Sequence, residues 1–203
     1  MRKLALFVFL AGLCTYSFSQ NPSGIDVQFA NNLIQLERAA QDANIALGKL
    51  RIEKWKADSR VKDQTTSNVE AIQRNLSAAL PELLAKVRQT PQDLSANFKL
   101  YRNLSAVYDV LASVTESAGA FGPKDDYRDL AQPVSVMDQV RRSLADRIDS
   151  LAAAKEAELA QYHRQAQAAA AAQAAAPPKK IIIDDNAPPK SSKTKKKTTK
   201  SPH

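Results

Sequence analysis

The sequence has few of the residues that most often carry chemistry or hold a small exported fold together. Its 203 residues include one cysteine, two histidines and five glycines. One cysteine excludes an intramolecular disulfide, and no glycine lies in a phosphate-binding or dinucleotide-binding pattern. His163 and His203 lack the neighbouring ligands that a structural zinc site needs, and no Gly-x-Ser-x-Gly nucleophile turn is present. We therefore expect a protein that is not an enzyme and has no cofactor.

The N-terminus has the three parts of a secretory signal peptide. Arg2 and Lys3 precede the apolar run 4–14, and the small residues that follow favour cleavage between Ser19 and Gln20. The run is shorter than the roughly 20 apolar residues that cross a bilayer, so a retained anchor is the weaker interpretation. Residues 1–19 are predicted to be a cleaved signal peptide and residues 20–24 a short mature arm. The mature protein is predicted to be periplasmic or extracellular.

Cys14 lies within the predicted signal peptide. The region resembles a lipoprotein signal, but Leu13 occupies the position where such signals carry a small residue, so lipid attachment is disfavoured. Cleavage after Ser19 leaves a mature chain without a thiol, and its fold then depends on packing alone. A domain of about 150 residues buries enough apolar surface for that.

The formal charge of +8 is concentrated at the two ends of the chain. Residues 177–203 carry eight lysines against Asp184 and Asp185, and the signal peptide carries two further cations, which leaves residues 20–176 without net charge. A nucleic-acid-binding protein normally has its basic surface on the fold itself. Residues 177–203 lack hydrophobic periodicity and are predicted to be a disordered, Lys-rich tail. The residues predicted to bind an anionic partner are Lys193, Lys195, Lys196, Lys197 and Lys200.

Three consecutive isoleucines, Ile181, Ile182 and Ile183, interrupt the polar tail. One interpretation is a short strand that adds to the sheet edge of a partner. The preferred interpretation is an isolated apolar patch in a linker.

Apolar residues recur at helical spacing through most of the chain and predict an all-α fold. The expected helices cover residues 25–57, 64–89, 90–117 and, from Lys124, the rest of the bundle. Short loops make consecutive helices antiparallel, so residues 25–164 are predicted to form an antiparallel four-helix bundle. Residues 165–176 contain only alanine and glutamine, which favour helix but bury little. The last helix is therefore predicted to bend or restart at Pro133, to protrude and to continue as a helical extension.

The first helix has the most regular apolar seam. Its members alternate spacings of four and three residues, as in coiled-coil packing, and they are Phe29, Leu33, Leu36, Ala40, Ala43, Leu47 and Leu50. Ile34, Ile45 and Ile52 are expected to widen the seam, and Trp55 is expected to cover the mouth of the bundle. Such a seam fits an intramolecular bundle and a homo-oligomer equally well.

Proline and aromatic residues set the expectations for the middle of the chain. Pro81 is expected to kink or break the second helix near Ala79 and Leu80. Thr90 is predicted to cap the third helix and Pro91 to be its first residue. Two apolar stripes predict that this helix is the most buried. One stripe consists of Leu94, Phe98, Tyr101 and Tyr108, and the other of Leu100, Leu104, Val107, Leu111 and Val114.

The last helix follows a predicted loop, residues 119–123, that contains two glycines and a proline. Arg142 lies four residues from both Asp138 and Asp146 and is expected to pair with either on the exposed face. The predicted buried face consists of Val136, Met137, Val140, Leu144, Ile148, Leu151 and Leu159.

One pattern in the sequence resembles a metal-binding motif, although we expect no metal site. It consists of Asp125, Asp126 and Asp129. The string matches the Asp-Asp-x-x-Asp motif with which helical prenyl-transfer enzymes hold magnesium diphosphate, since carboxylates at this spacing can share a cation. Those enzymes need a second acidic cluster, and we find none in this chain. The helix dipole also favours acidic residues in a first turn. We interpret the three aspartates as capping residues, and a magnesium-dependent enzyme is the less favoured alternative.

The export signal, the neutral bundle and the cationic tail together predict a non-enzymatic envelope protein with a binding, scaffolding or structural role. Its expected partner is an anionic surface or polymer of the envelope, which the tail contacts. Nucleic-acid binding through the same lysines is a second hypothesis, against which the export signal argues. A chaperone-like helical clamp is a further alternative that rests on the long helices alone.

Overall fold

Four long helices make up most of residues 27–175, the part of the chain that the computed structural model describes. They are α1 (Val27–Lys49), a continuous helix composed of α2 (Ser59–Arg74), a π-helical turn (Asn75–Ala79) and α3 (Leu80–Gln89), then α4 (Leu94–Phe121) and α5 (Lys124–Ala175). A 3₁₀ turn, Ile52–Lys54, lies between α1 and α2. The described residues contain no strand, so the all-α prediction is confirmed. The signal peptide, Cys14, the tail lysines and Ile181–Ile183 lie outside the described residues.

Neighbouring helices run in opposite directions, as predicted. The guanidinium of Arg147 in α5 lies 3.9 Å from the ring centre of Phe29, near the start of α1. Lys49, the last residue of α1, lines the same groove as Asp129, near the start of α5. Contacts of the same kind show that three further pairs of helices are antiparallel: α1 with α3, α2 with α4, and α4 with α5. The antiparallel bundle is therefore confirmed.

The seam of α1 is buried as predicted, apart from Leu50, which is half-buried. The predicted end at residue 57 is wrong, because α1 ends at Lys49. Ile34 and Ile45 do not widen the seam and are 43% and 56% exposed. With 3.6 residues per turn both lie on the side of the helix opposite the seam. Ala39 and Ala46 are buried beside it instead.

The helix from residue 59 to residue 89 passes Pro81 without a break. Its chain widens over Asn75–Ala79 into a π-helical turn, in which the N–H of Leu80 donates to the carbonyl of Asn75, five residues earlier. Proline has no N–H and crowds the carbonyl four residues before it, so a wider turn just ahead accommodates the ring. Of the two expected outcomes, a kink or a break near Ala79 and Leu80, the break does not occur, and the chain departs from regular α-helix in the π-helical turn just before Leu80. The helix also begins earlier than predicted, at Ser59, where the Asp58 side chain accepts a hydrogen bond from the N–H of Val61.

The turn between α3 and α4 differs from the prediction in its capping residue. Asp93 caps α4 and accepts hydrogen bonds from the N–H groups of Ser95 and Ala96. Thr90 instead follows α3, and its hydroxyl donates to the carbonyl of Lys86. Aspartate is a better N-cap than threonine. Pro91 therefore lies in the turn and not in the helix.

Glycines at the end of α4 provide close packing and not the predicted long loop. The helix continues to Phe121, and Gly122 and Pro123 are the residues that separate it from α5. A β-carbon at Gly119 would lie 2.9 Å from the Tyr127 ring, and one at Gly122 would lie 2.9 Å from the indole nitrogen of Trp55. Neither glycine has a positive φ.

The helix α5 is continuous over 52 residues, with a buried Pro133 inside it, so it does not restart there. Leu151 is its last buried residue. Leu159, which was predicted to be buried, is 59% exposed. All described residues from 153 to 175 are exposed, and Glu158 begins a separate compact unit of the chain.

The core lies around α4. Its predicted aliphatic stripe, Leu100 to Val114, is buried throughout. Its aromatic stripe is less buried than expected, because Phe98 is 46% exposed and Tyr101 and Tyr108 are half-buried. This stripe lies at the edge of the α4–α5 interface, where the side chain of Arg141 covers Tyr108.

Candidate functional site

The predicted aspartate cluster lies at the start of α5, with Asp125 and Asp126 in the first turn, but its carboxylates do not converge. Arg128 contacts Asp125 at 3.0 Å and Asp129 at 3.4 Å. The carboxylate of Asp126 accepts a hydrogen bond from the Trp55 indole, 3.0 Å away. Among residues 27–175, no group of three acidic, histidine or cysteine side chains is placed to hold a metal ion. Asp125 and Asp126 instead lie in the first turn, where the dipole of α5 favours negative charge, and Asp129 lies in the second turn.

Trp55 anchors the connection between α1 and α2. Its side chain is 3% exposed, packs against Gly122 and donates to Asp126. The next residue, Lys56, donates its backbone N–H to the carbonyl of Phe121 at 3.0 Å. These contacts confirm that Trp55 closes this end of the bundle. A ring so covered has no face free for stacking on a ligand.

Asp138 is the centre of a charged cluster between α4 and α5. It pairs with Arg142, as predicted, and also with Arg141, whose Nη2 lies 2.6 Å from its Oδ1. Arg142 lies on the exposed face as expected, with its side chain 74% exposed, whereas the Asp138 side chain is only 14% exposed. The guanidinium of Arg141 also lies 4.7 Å from the centre of the Tyr108 ring, in a cation–π contact. The spacing of three residues between Asp138 and Arg141 could have indicated this second ion pair from the sequence alone.

Hydrogen bonds from Arg141 and then Arg142 lower the pKa of Asp138 below its ordinary value, against the opposing effect of burial. The same carboxylate raises the pKa of Arg141. Since the lowered pKa belongs to the folded state, Asp138 stabilises the fold above the unfolded pKa near 4 and loses this effect as the pH falls further.

We expect Asp138→Asn to lower the free energy of unfolding at pH 7 by about 1 kcal/mol, because it removes the charge that both arginines contact. The difference in the free energy of unfolding between this variant and the wild type should shrink as the pH falls from 5 to 2. Urea unfolding at a series of pH values measures it. Asp109→Asn, at an exposed position of α4, is the control, and a difference that is unchanged at pH 2 would contradict the assignment.

A second polar cluster, which the sequence did not reveal, holds the turn before α4. Asn97 is fully buried, and its Nδ2 donates to the carbonyls of Pro91 at 3.1 Å and Asp93 at 2.8 Å. Arg147 of α5 donates to the same Pro91 carbonyl at 2.8 Å, while its guanidinium covers the Phe29 ring. A proline carbonyl thus receives donors from two helices, which fixes the direction of α4.

The remaining residues considered in the sequence analysis are His163 and the five tail lysines. His163 lies on the exposed part of α5. Lys193, Lys195, Lys196, Lys197 and Lys200 lie outside the described residues. Four open grooves lie on the bundle surface, and the ionisable side chains that line them are Glu37, Asp42, Lys49, Arg60 and Asp129.

The fold and these clusters define an all-α protein whose polar clusters stabilise a helical bundle. Comparison with protein-family models, with curated proteins and with solved structures gave no match. Within residues 27–175, none of the helices combines the length and the apolar character needed to span a bilayer.

Proposed function

We propose that this protein is an exported, non-enzymatic helical module whose lysine tail binds an anionic surface or polymer of the cell envelope. The separation of charge supports this most directly. Residues 20–176 are neutral, whereas residues 177–203 carry eight lysines and two aspartates.

The contacts of the bundle support the same division of roles. Several of its charged side chains contact one another, as Arg128 does with Asp125 and Arg88 with Glu37. These charges are therefore paired within the bundle, while the tail lysines come after the end of α5 at Ala175 in the sequence. Each lysine near an anionic membrane contributes roughly 1 kcal/mol of attraction, which salt screens.

The test compares two variants with the same change in charge. In one variant, glutamine replaces the five tail lysines, Lys193, Lys195, Lys196, Lys197 and Lys200. In the other variant, glutamine replaces five exposed lysines of the bundle. The bundle set is Lys54, Lys56, Lys86, Lys99 and Lys124. Binding of the mature protein is measured by co-sedimentation with vesicles of phosphatidylcholine containing phosphatidylglycerol, at low and high salt.

The tail variant should bind at least about tenfold more weakly at low salt, because it loses five attractions of this size. The bundle variant should bind almost as well as the wild type, and high salt should abolish the difference. Equal loss in both variants would contradict the tail as the binding element. A steep salt dependence with duplex DNA, without vesicle binding, would support the nucleic-acid alternative.

A further inference from the structure

The side of α1 that faces away from the core carries three exposed, large apolar side chains. Val27, Ile34 and Ile45 are 74%, 43% and 56% exposed. The second and third follow the one before at intervals of about two and three helical turns, so the three share one side of the helix. This side is opposite the seam, which the bundle already buries. A protein exposes large apolar side chains in a group mainly where another surface covers them.

Two opposite charges lie between the isoleucines on the same side of α1. Arg38 follows Ile34 by one helical turn, and Asp42 follows Arg38 by another, just before Ile45. Both charged side chains are exposed. None of the ion pairs among residues 27–175 involves either of them. From its N-terminal to its C-terminal end, this face is therefore apolar, cationic, anionic and apolar.

The other charges of α1 leave this order intact. Glu37 lies on the side toward α3, where its carboxylate contacts Arg88 at 2.7 Å. Lys49 is the last residue of the helix and lines the groove that Asp129 of α5 also lines. Residues 27–36 contain no charged side chain. The central arginine and aspartate are thus the charges that a partner of this face would meet.

The order of the face favours a second copy of the chain as that partner. Two copies in the same direction would place arginine beside arginine and aspartate beside aspartate. Two copies in opposite directions would place each arginine beside the aspartate of the other copy, and isoleucine beside isoleucine. The face is therefore complementary to itself under a two-fold rotation, the symmetry of most dimers.

We infer that this face of α1 binds a second copy of the chain in an antiparallel pair, centred at the level of Ala40. Arg38 of each copy then lies level with Asp42 of the other. Ile34 of each copy lies within about 1.5 Å, the rise of one residue, of the level of Ile45 of the other. Each contact occurs twice, and the buried seam takes no part in the pairing.

Sedimentation equilibrium of the mature protein measures this pairing, over the range from about 1 to 500 µM in which a small interface associates. Ile45→Lys should raise the dimer dissociation constant at least about tenfold, because both copies lose an apolar contact. Leu159→Lys is the matched control, because Leu159 is 59% exposed on α5 and should leave the dimer unchanged. A monomer at every concentration, or equal weakening in the control, would overturn the inference.

Charge exchange tests which residues lie level with one another. Arg38→Glu and Asp42→Arg should each weaken the homodimer, because each places like charges opposite one another. The double variant should dimerise about as well as the wild type, since every introduced glutamate then faces an introduced arginine. A mixture of the two single variants should also associate better than either alone. Failure of the double variant or of the mixture to recover association would overturn the pairing.

Spin labels test the direction of the two helices. The predicted mature chain, from residue 20, has no cysteine, so Asn31→Cys provides a single labelled site on this face. An antiparallel pair centred at Ala40 places the two labels about 27 Å apart along the helix axes. A parallel pair places them roughly one interhelical distance apart, about 10 Å. Pulsed electron resonance separates the two, and the short distance would overturn the antiparallel arrangement.

Discussion

Replacing Trp55 by alanine is expected to lower the free energy of unfolding by about 3–5 kcal/mol, the range for large aromatic side chains removed from a core. The indole is 3% exposed and joins three parts of the chain: the α1–α2 connection, Gly122 and Asp126 in the first turn of α5. Alanine leaves a cavity and removes the donor to Asp126. Urea unfolding followed by far-ultraviolet circular dichroism measures the loss, because the variant lacks the chain's one tryptophan.

Two further variants separate packing from hydrogen bonding at this site. Trp55→Phe keeps most of the apolar area without the donor and should cost about 1–2 kcal/mol. Asp126→Ala should cost about 1 kcal/mol, and less in the Trp55→Phe background, since the two residues share one bond. Tyr162→Ala, at a position 61% exposed, should stay within about 0.5 kcal/mol of the wild type. A loss below 1 kcal/mol in Trp55→Ala would contradict the anchoring role.

The number of helices could be predicted because apolar spacing depends on the helix itself, and their direction because short loops make consecutive helices antiparallel. The buried seam of α1 followed from it, and so did the burial of Leu100 to Val114 in α4. The same spacing gave a wrong prediction of burial where it continued beyond the bundle. Leu159 keeps an apolar helical spacing but has no core to enter, and only the fold shows that Leu151 is the last buried residue of α5.

Helix ends were harder to predict because several residues compete for each capping position. Gly48 and Asp58 were available signals for the end of α1 and the start of α2, since glycine weakens a helix and aspartate caps one. The choice between Thr90 and Asp93 depended on tertiary contacts. Asn97 and Arg147 hold the carbonyl of Pro91, and this keeps Pro91 in the turn.

The polar clusters also differ in how far the sequence alone indicates their contacts. The pairing of Asp138 with Arg142 follows from a spacing of four residues and could be predicted. The contact of Trp55 with Asp126 spans 71 residues of sequence, so no local pattern indicates it. For Asp126 that contact replaces the metal binding suggested by the motif, because its carboxylate faces the indole and not Asp125 or Asp129.

Replacing Asn97 by aspartate is expected to cost about 3 kcal/mol at pH 7, the low end of the range for a buried charge, because the guanidinium of Arg147 on the same Pro91 carbonyl offsets part of the cost. The two side chains have almost the same shape. The amide nitrogen of Asn97 donates to the carbonyls of Pro91 and Asp93, so aspartate would direct an oxygen at two carbonyl oxygens. The side chain is 0% exposed, so water cannot compensate. Urea unfolding at pH 7 measures the loss, with Asn31→Asp at an exposed position of α1 as the control.

The pH dependence of the Asn97→Asp variant distinguishes charge burial from simple loss of packing. Burial raises the pKa of the introduced acid in the folded state, so the folded variant binds more protons than the unfolded chain. The loss in its free energy of unfolding relative to the wild type, here called the deficit, should therefore grow as the pH rises above about 4. It should level off above the raised pKa. Near pH 3 the protonated acid can donate to one of the two carbonyls, and most of the deficit should disappear. A deficit equal at pH 3 and pH 7 would show that packing dominates, whereas Asn31→Asp should stay within about 0.5 kcal/mol of the wild type at both.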